Sequence, residues 1–395
     1  MKMRGVNCFL VLCLLLSGIA RAEEQQSRYL LRAWAYSYQF DKDDFYTTDW
    51  RDSGAGMLGR LMHDRIEGGA TVSVALQYAT MSDVSTGVIG SGADVERSNI
   101  FSWRHTGDSY SVADIDRLYL GYNKNRLSAS IGRMAINLSR TFYFSPNDFF
   151  VPFAAQSFYR EHKAGVDALR FSWEPVELTR LSLLSVEGYE ADVQSATGWS
   201  ARPVSDRRSY LASISTAFGN AEIGVLGGHV RDARIVGASL QTGLGDLFDL
   251  RAEGHVAEPD VDRQLDVAQW SIGLGYRPDS DMDFRIEYYR HGRGATESQD
   301  YNLFATDSTY LGRHYMAMGM VYQWSAITTF NAMALANQDD DSGLISINLV
   351  RSLSDESDMD ISLSMPYGQR SDSPVIESEY GLYPASLAIE WRSYF

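Results

Sequence analysis

The sequence predicts an all-β fold, a transmembrane antiparallel up-and-down β-barrel of about 18 strands. Three observations predict it. Apolar and polar residues alternate with a period of two along most of the chain, and the connections between these segments are short and long in alternation. The chain also ends in an alternating segment whose last residue is Phe395. The 33 Gly and only 9 Pro among 395 residues fit a chain that is mostly strand.

The first residues form a segment of their own. Two basic residues precede an apolar run from Val6 to Ile19, and Ala20-Arg21-Ala22 has the small-x-small pattern of a cleavage site. The apolar run is shorter than the roughly 20 residues that a helix needs to cross a bilayer. We therefore expect residues 1–22 to be a secretory signal peptide and residues 23–395 to form the barrel.

Composition excludes several other classes of protein. Cys8 and Cys13 are the only cysteines, and both lie in the leader, so the exported chain has no disulfide scaffold, thiol nucleophile or thiolate metal site. The net charge of −16 argues against a nucleic-acid partner, because phosphate binding needs a basic surface. After the leader, no apolar stretch is long enough for a spanning helix. A membrane-crossing chain of this kind must satisfy its backbone groups as a closed barrel.

The alternating segments have charge on one face and aromatic rings at the ends of the other. Asp283, Arg285 and Glu287 alternate with apolar side chains, and Tyr276 and Trp391 end apolar faces. A soluble sandwich would also alternate, but charges in the middle of strands fit a water-filled lumen better. Aromatic residues at both ends of an apolar band are typical of lipid–water interfaces.

The strands are predicted from the bounds of the alternation. They cover about 28–38, 55–65, 68–80, 113–122, 125–134, 164–173, 177–188, 208–218, 220–230, 233–242, 247–257, 267–277, 281–292, 313–324, 326–338, 341–352, 356–366 and 383–395. If the first strand runs outward, the short turns are periplasmic and the long loops extracellular. The long loops are 39–54, 81–112, 135–163, 189–207, 258–266, 293–312 and 367–382, and two further connections on that side, near 231–232 and 339–340, are short.

The last strand resembles the C-terminal signature of Gram-negative outer-membrane proteins. Leu387, Ile389, Trp391 and Ser393 share a face with the terminal Phe395. In those proteins the signature is read by the barrel-assembly machinery. The resemblance implies an assembly signal that includes Trp391 and Phe395. It also implies a bacterial outer-membrane location, among lipid and lipopolysaccharide.

A second resemblance lies in the segment from Leu127 to Lys163. A strand that ends in Gly132-Arg133 leads into a long segment rich in Phe and Pro. This is similar to the strand and third extracellular loop of porins, which folds into the lumen. The architecture also resembles the 18-stranded substrate-specific porins for small anionic or carboxylate solutes. A segment this apolar is not expected to extend into water, and against the inner wall it would narrow the pore.

Inward-facing charges would carry the function of such a pore, because a water-filled lumen selects by charge and width. Strand parity places the following on the lumen wall: Arg117, Arg133, Arg170, Asp249, Arg251, Glu253, Asp283, Arg285, Glu287, Glu390 and Arg392. Arg133 at the root of the loop is predicted to form the constriction with Arg140, Asp148 and Arg160 of the loop. Alternatively, some of these residues form salt bridges that tie the loop to the wall.

We interpret the chain as a porin for passive diffusion of small hydrophilic solutes, with no cofactor and no resident metal. None of the seven histidines lies in a Gly-x-Ser-x-Gly or His-x-x-x-His motif, so we do not expect an enzyme. The acidic runs near residues 41–44 and 339–341 could hold a divalent cation or simply be solvated.

Two other functions stay open at this point. A closed barrel could serve as an adhesin, receptor or scaffold, with the long loops 81–112 and 293–312 carrying the function. An exporter of a charged polysaccharide, similar to alginate-type export channels, would need a strongly basic lumen. An oligomer is possible, since general porins are often trimers.

Overall fold

A computed structural model of the protein describes residues 24–40, 45, 50–82, 96–106, 109–192, 195, 198–259, 268–303 and 310–395. The predicted leader, residues 1–22, and the acidic run at residues 41–44 lie outside the described residues. Within them, each helix is a three-residue 3-10 turn, at Ser205–Arg207, Ser298–Asp300 and Tyr380–Leu382. No helix in this part of the chain is long and apolar enough to cross a membrane.

Eighteen strands in the described ranges form a closed antiparallel barrel, because β1 pairs with both β2 and β21. The wall consists of β1 (Glu24–Gln39), β2 (Arg51–Glu67), β3 (Ala70–Ser82), β5 (Ser109–Lys124), β6 (Leu127–Met134), β7 (Val166–Trp173), β8 (Thr179–Val186), β11 (Ser209–Phe218), β12 (Ala221–Val230), β13 (Ala233–Leu244), β14 (Phe248–Pro259), β15 (Ala268–Tyr276), β16 (Met282–Arg290), β17 (His314–Ser325), β18 (Thr328–Asn337), β19 (Ser342–Ser354), β20 (Ser357–Tyr367) and β21 (Ala385–Tyr394). The predicted barrel and its strand number are confirmed.

Three short strands lie outside this ring. Strand β4 (Ser102–Thr106) pairs with the first half of β5, and β9 (Tyr189–Ala191) pairs with β10 (Trp199–Pro203) as a separate ribbon. All three belong to long connections, on the side of the barrel opposite the chain termini. Short turns such as the one at Gly68 and Gly69 lie on the side of the termini, whereas the two-residue turn at Arg231 and Asp232, between β12 and β13, lies on the opposite side.

The seam of the barrel joins the first strand to the last. Leu30 lies opposite Tyr394, and the pairing continues to Gln39 opposite Ala385. The N–H of Tyr29 donates to the carbonyl of Phe395 at 2.8 Å, and the N–H of Phe395 donates back at 2.9 Å. The last residue is therefore part of the hydrogen-bonded ring.

The outer face is apolar, with aromatic rings near both ends. Phe248, Tyr276 and Phe284 are neighbours on three adjacent strands, with ring centroids 5.0 and 6.3 Å apart. Toward the other end, Trp270 and Tyr288 have ring centroids 5.3 Å apart. Such rings fit the two interfaces of a bilayer, with the exposed aliphatic side chains between them.

The opposite face of the wall points into the barrel and is apolar in two places. On one side a cluster gathers inward side chains of β6 to β14 around Ile136 and Phe150 of the connection that follows β6. On the far side a second cluster joins Phe144 and Ala155 of the same connection to β16–β19. These clusters give the connection a folded position inside the ring.

A β-bulge in β5 changes which side chains reach the interior. Ala75 and Leu76 of β3 pair with Arg117 and Ile115, which leaves Asp116 as an extra residue. Strict alternation from the inward Arg117 would put Asp114 and Asp116 against lipid. The bulge turns both carboxylates inward instead, because one extra residue reverses the alternation.

Candidate functional site

The segment that we call loop 3, residues 135–165, runs through the interior of the barrel. It leaves the wall after β6 and returns at β7. It contacts Glu253 of β14 and Glu287 of β16, and also Arg32 of β1 and Arg392 of β21. These strands lie on different sides of the ring, so one loop can reach all of them only from within. Loop 3 is therefore in contact with opposite sides of the ring.

The root of loop 3 is set by Gly132 and Arg133. Gly132 has φ +123°, and a Cβ there would overlap the carbonyl oxygen of Leu118, so only glycine fits. The kink directs Arg133 to Asp167, at 2.8 Å from Nε, and to the carbonyl oxygen of Ser98 at 2.7 Å. Arg133 is 4 % exposed. Arg133 was predicted to form the constriction. Its guanidinium is instead buried and connects the root of the loop to Asp167 and Ser98.

A second inserted segment, which we call the loop-2 insert, covers residues 96–106 and includes β4. It continues the wall beyond the end of β6, where β4 pairs with the first half of β5. The N–H of Ser98 donates to Asp167 at 2.9 Å. Arg97 pairs with the two carboxylates that the bulge turns inward, Asp114 and Asp116. The sequence analysis did not find this ion-pair cluster. Strict alternation in β5 places Asp114 and Asp116 on the outer face, and only the bulge turns them inward.

The insert is also bound to the neighbouring connections on the same side of the barrel. Glu96 accepts from Nε of Arg207 at 2.8 Å and from Nε of Arg231 at 3.1 Å. It accepts further from the N–H of Tyr189 at 3.1 Å. One buried carboxylate thereby holds together three segments on the side of the barrel opposite the chain termini.

The outgoing arm of loop 3 is held by two carboxylates of the wall. Glu287 accepts from the backbone N–H groups of Phe142, Tyr143 and Phe144 at 2.7, 3.0 and 2.9 Å. Glu253 accepts from the N–H of Asn147 at 3.1 Å and from that of Arg140. Both carboxylates are at most 3 % exposed. Their inward parity is as predicted, but loop 3 covers them.

Phe142 marks the point where the outgoing arm meets charged wall residues. The guanidinium carbon of Arg251 lies 4.4 Å from its ring centroid, and that of Arg285 lies 5.3 Å away. A cation over an aromatic face is attracted by the ring quadrupole. Both arginines also pair with a carboxylate two residues earlier, Asp249 and Asp283, at 2.7 Å.

The returning arm crosses to the opposite wall at two consecutive residues. Arg160 donates to the carbonyl oxygens of Phe142 at 2.6 Å and of Ala155 at 2.9 Å, which joins the two arms of the loop. The neighbouring Tyr159 ring lies between Arg32 and Arg392, at 4.2 and 5.1 Å from their guanidinium carbons. The loop is therefore anchored on both sides of the lumen.

The wall charges behind Tyr159 are paired with each other. Glu390 accepts from Arg32 at 2.6 and 2.8 Å. Arg392 lies 3.3 Å from Asp360 and is 6 % exposed. Both predicted residues, Glu390 and Arg392, are thus on the inner face, in an ion-paired network with loop 3 above it.

Within loop 3, Asp148 and Lys163 form a buried ion pair. Burial raises the pKa of Asp148 and lowers that of Lys163, while each partner opposes the shift of the other. Burial, and then Arg60, also lower the pKa of His162 to about 4, so this imidazole is neutral at physiological pH. Asp148 is 4 % exposed. It was predicted to form the constriction, but its contact with Lys163 joins two parts of loop 3 instead.

The remaining predicted residues have more access to the lumen. Arg140 pairs with Glu222 of β12, and both side chains are more than one third exposed. Arg170 lies on the inner face with Arg180 of the next strand, and Arg117 lies beside the carboxylate of Asp116. The predicted role of the whole set in selecting solutes stays a prediction.

Trp391 and Phe395 are both on the outer side of the last strand. They are 39 % and 60 % exposed, as are their parity neighbours Leu387 and Ile389 at 46 % and 48 %. This position leaves the rings accessible at the termini side of the barrel. Their use as an assembly signal stays a prediction.

The acidic run Asp339–Asp341 is used for loop structure. Asp339 accepts from the N–H groups of Arg313 and His314 at 2.6 and 2.7 Å, and Asp340 accepts from the N–H of Glu379 at 2.7 Å. In the described ranges, no group of three or more His, Cys, Asp or Glu is placed to hold a metal ion.

Neither a protein-family model nor a curated protein matches the chain. Solved structures do match along nearly the whole length. OccAB3 of Acinetobacter baumannii is 13% identical with a TM-score of 0.60, covering 94% of this chain and 99% of its own. OccK9 (OpdG) of Pseudomonas aeruginosa is 11% identical with a TM-score of 0.59, covering 95% and 99%. A BenF-like porin from Pseudomonas fluorescens Pf-5 is 10% identical with a TM-score of 0.61, covering 95% and 100%. The chain therefore has the closed β-barrel fold of these porin-type structures.

Proposed function

We propose that this protein is an outer-membrane porin, a channel for the passive diffusion of small hydrophilic solutes. The observation that carries the proposal is loop 3, which is anchored on opposite sides of an 18-stranded barrel. A loop held in this way narrows the lumen at one level, so that solutes are selected by size and by the charges beside it. The mechanism needs no cofactor and no catalytic residue.

The cellular route is part of the same proposal. The leader at residues 1–22 would direct export, and the terminal signature with Trp391 and Phe395 would direct insertion by the assembly machinery. The outer apolar face with its aromatic ends supports a location in the bacterial outer membrane, next to lipopolysaccharide.

Planar-bilayer recording of the refolded residues 23–395 tests the channel. We expect discrete steps of conductance, since a lumen narrowed by a fixed loop conducts ions without activation. A preparation that is folded by circular dichroism and by its heat-modifiable gel migration, yet gives no steps, would contradict the proposal. The same preparation after heat denaturation is the control.

Ion selectivity offers a second test. Arg170 lies on the inner face and has no carboxylate partner among the described residues, so Arg170→Gln should shift the reversal potential in a salt gradient toward cation preference. We expect the permeability ratio to change less than about twofold, because salt screens charges beyond about 8 Å at 0.15 M. Arg234→Gln removes the same charge from the outer face and should leave the ratio unchanged.

One observation favours a second candidate, a closed barrel that acts as a receptor or adhesin. Phe144 of loop 3 packs against Tyr310, Tyr315 and Tyr289, and Tyr380 of the last long connection belongs to the same cluster. Rings from several connections thereby cover part of the extracellular mouth. Bilayer recording separates the two candidates, because a plugged barrel gives no steps.

A further inference from the structure

The inner wall beneath loop 3 has glycines where the rings of the loop approach it. Gly273 and Gly275 lie on β15, and Gly319 lies on β17. In register, Gly273 is opposite Glu287 and both Gly275 and Gly319 are opposite Arg285, so all three share the inner face. We call these three residues the glycine groove.

Rings of loop 3 occupy the space that side chains would otherwise fill. A Cβ on Gly273 would lie 2.8 Å from Cδ2 and 3.1 Å from Cε2 of Phe142, and one on Gly275 would lie 3.2 Å from its Cζ. A Cβ on Gly319 would overlap the hydroxyl oxygen of Tyr143. Real Cβ atoms do not approach other atoms this closely at Gly273 and Gly319, so any side chain there must displace the rings.

The rings have little freedom to adjust in place. The backbone of residues 142–144 is held by three hydrogen bonds to Glu287. The carbonyl of Phe142 accepts from Arg160, and its ring lies between Arg251 and Arg285. A Cβ added on the wall at Gly273 would push the Phe142 ring away from the wall, toward the lumen axis.

We propose that the glycine groove sets the width of the constriction, by letting loop 3 lie close against the wall of β14–β17. The groove acts through Phe142 and Tyr143, so its glycines are positioning residues for permeation. The inference rests on the proposed channel function. The packing of the Phe142 and Tyr143 rings against the glycine groove does not depend on whether the barrel conducts.

Single-channel conductance of Gly273→Ala tests the proposal, and we expect roughly a twofold loss as the Phe142 ring moves into the lumen. Gly121→Ala is the matched control. Gly121 shares the inner face with Thr71 and Tyr119, but a Cβ there would meet no atom closer than 3.4 Å. That variant should conduct like the wild type. Unchanged conductance in Gly273→Ala would overturn the proposal.

The double variant Gly273→Ala with Phe142→Ala distinguishes a moved ring from general damage. Without the ring, the nearest atom to the added methyl group is Oε2 of Glu287 at 3.2 Å, a much milder contact, so conductance should return to the wild-type level or above. A double variant that stays as low as Gly273→Ala would overturn the proposal.

A thermal unfolding cycle on the wild type, Gly273→Ala, Phe142→Ala and the double variant gives a readout that does not need a channel. Gly273→Ala should lower the unfolding midpoint when Phe142 is present and lower it clearly less in the Phe142→Ala background, where only the 3.2 Å contact with Oε2 of Glu287 is left. If the wild type gives no channel steps but this coupling appears, the proposed function fails while the packing of the groove stands. If the coupling is absent, the groove proposal fails whatever the conductance.

Discussion

At the scale of single residues, buried carboxylates of the wall fix the position of loop 3. Glu287 is 1 % exposed and accepts the hydroxyl of Ser271 at 2.6 Å in addition to three backbone N–H groups. Hydrogen bonds to a charged acceptor are stronger than neutral ones, and a donor left unpaired after burial is costly. The loop is therefore sensitive to small changes at this side chain.

Glu287→Gln should loosen loop 3. The amide offers a donor where the three N–H groups need an acceptor, and we expect a loss of about 3 kcal/mol in the free energy of unfolding. The measurement is the urea dependence of the folded band on an unheated gel, together with the rate of proteolytic cleavage within residues 135–165.

Glu222→Gln provides the control for that experiment. The Glu222 side chain is 36 % exposed and, among the described residues, pairs only with the side chain of Arg140, and such a pair contributes at most about 1 kcal/mol. Equal losses in the two variants would show that the backbone contacts of Glu287 do not position the loop.

At this scale, the sequence predicted which charged residues lie on the inner face of the wall. It did not predict which partner each of them binds. Glu253 and Glu287 have the expected parity, yet both meet backbone N–H groups more than a hundred residues earlier in the chain. Alternation reports which face a residue occupies. It carries no information on which distant loop will cover that face, because that depends on packing in three dimensions.

At the scale of elements, the last long connection, residues 368–384, is joined to β17 and β18 through Glu379. Its carboxylate accepts from the hydroxyl of Tyr315 at 2.5 Å and from Nδ2 of Asn337 at 2.9 Å. Asp340 shares that amide at 3.2 Å. Burial, with a smaller contribution from Asp340, raises the pKa of Glu379 to about 7.

This packing should weaken as the pH rises toward and beyond 7. A carboxyl whose pKa is raised on folding stabilises the folded state fully below its ordinary value of 4.5, and that stability is lost as the pH rises through about 7. The loss amounts to roughly 3 kcal/mol. Hydrogen exchange of residues 368–384, corrected for intrinsic rates, should be faster at pH 8 than at pH 5.5.

Glu379→Gln should remove this pH dependence, whereas Glu377→Gln, two residues earlier in the same connection, should retain it. If the wild type exchanges equally at both values of pH, the carboxyl does not titrate in this range.

Element boundaries were predictable wherever alternation was regular. The predicted 233–242 and 247–257 regions correspond to β13 and β14, which are regular on both edges. The prediction was least complete for β5, which begins at Ser109 rather than near 113 and contains the bulge at Asp116. A bulge adds one residue without a sequence signature of its own here, so parity arguments fail beyond it.

At the scale of the whole molecule, the ring closes through its last residue. The barrel and its strand number followed from alternation and connection lengths, because a chain in lipid must pair every backbone group. The arrangement inside the lumen did not follow, since loop 3 has no repeating pattern and its path depends on contacts with strands all around the ring.

Phe395→Ala should lower the amount of folded barrel in the outer membrane several-fold while the purified, refolded variant keeps its stability. The backbone bonds between Phe395 and Tyr29 remain, so only the ring is lost. Heat-modifiable migration of membrane fractions gives the measurement. Phe218→Ala is the control, because that ring is 84 % exposed at a short turn. Equal folded amounts for wild type and Phe395→Ala would contradict an assembly role.

The loop-2 insert has a consequence for how the two long loops can vary. When loop 3 turns inward after Met134, the first half of β5 loses the neighbour that β6 would have provided, and β4 takes that edge. The inward turn of loop 3 therefore requires the loop-2 insert to cover the part of the wall that β6 leaves open. Shortening the loop-2 insert alone would leave a side opening between the lumen and the outer leaflet, through which lipid could enter and solutes could escape sideways. Natural variation in these two lengths should be coupled for this reason.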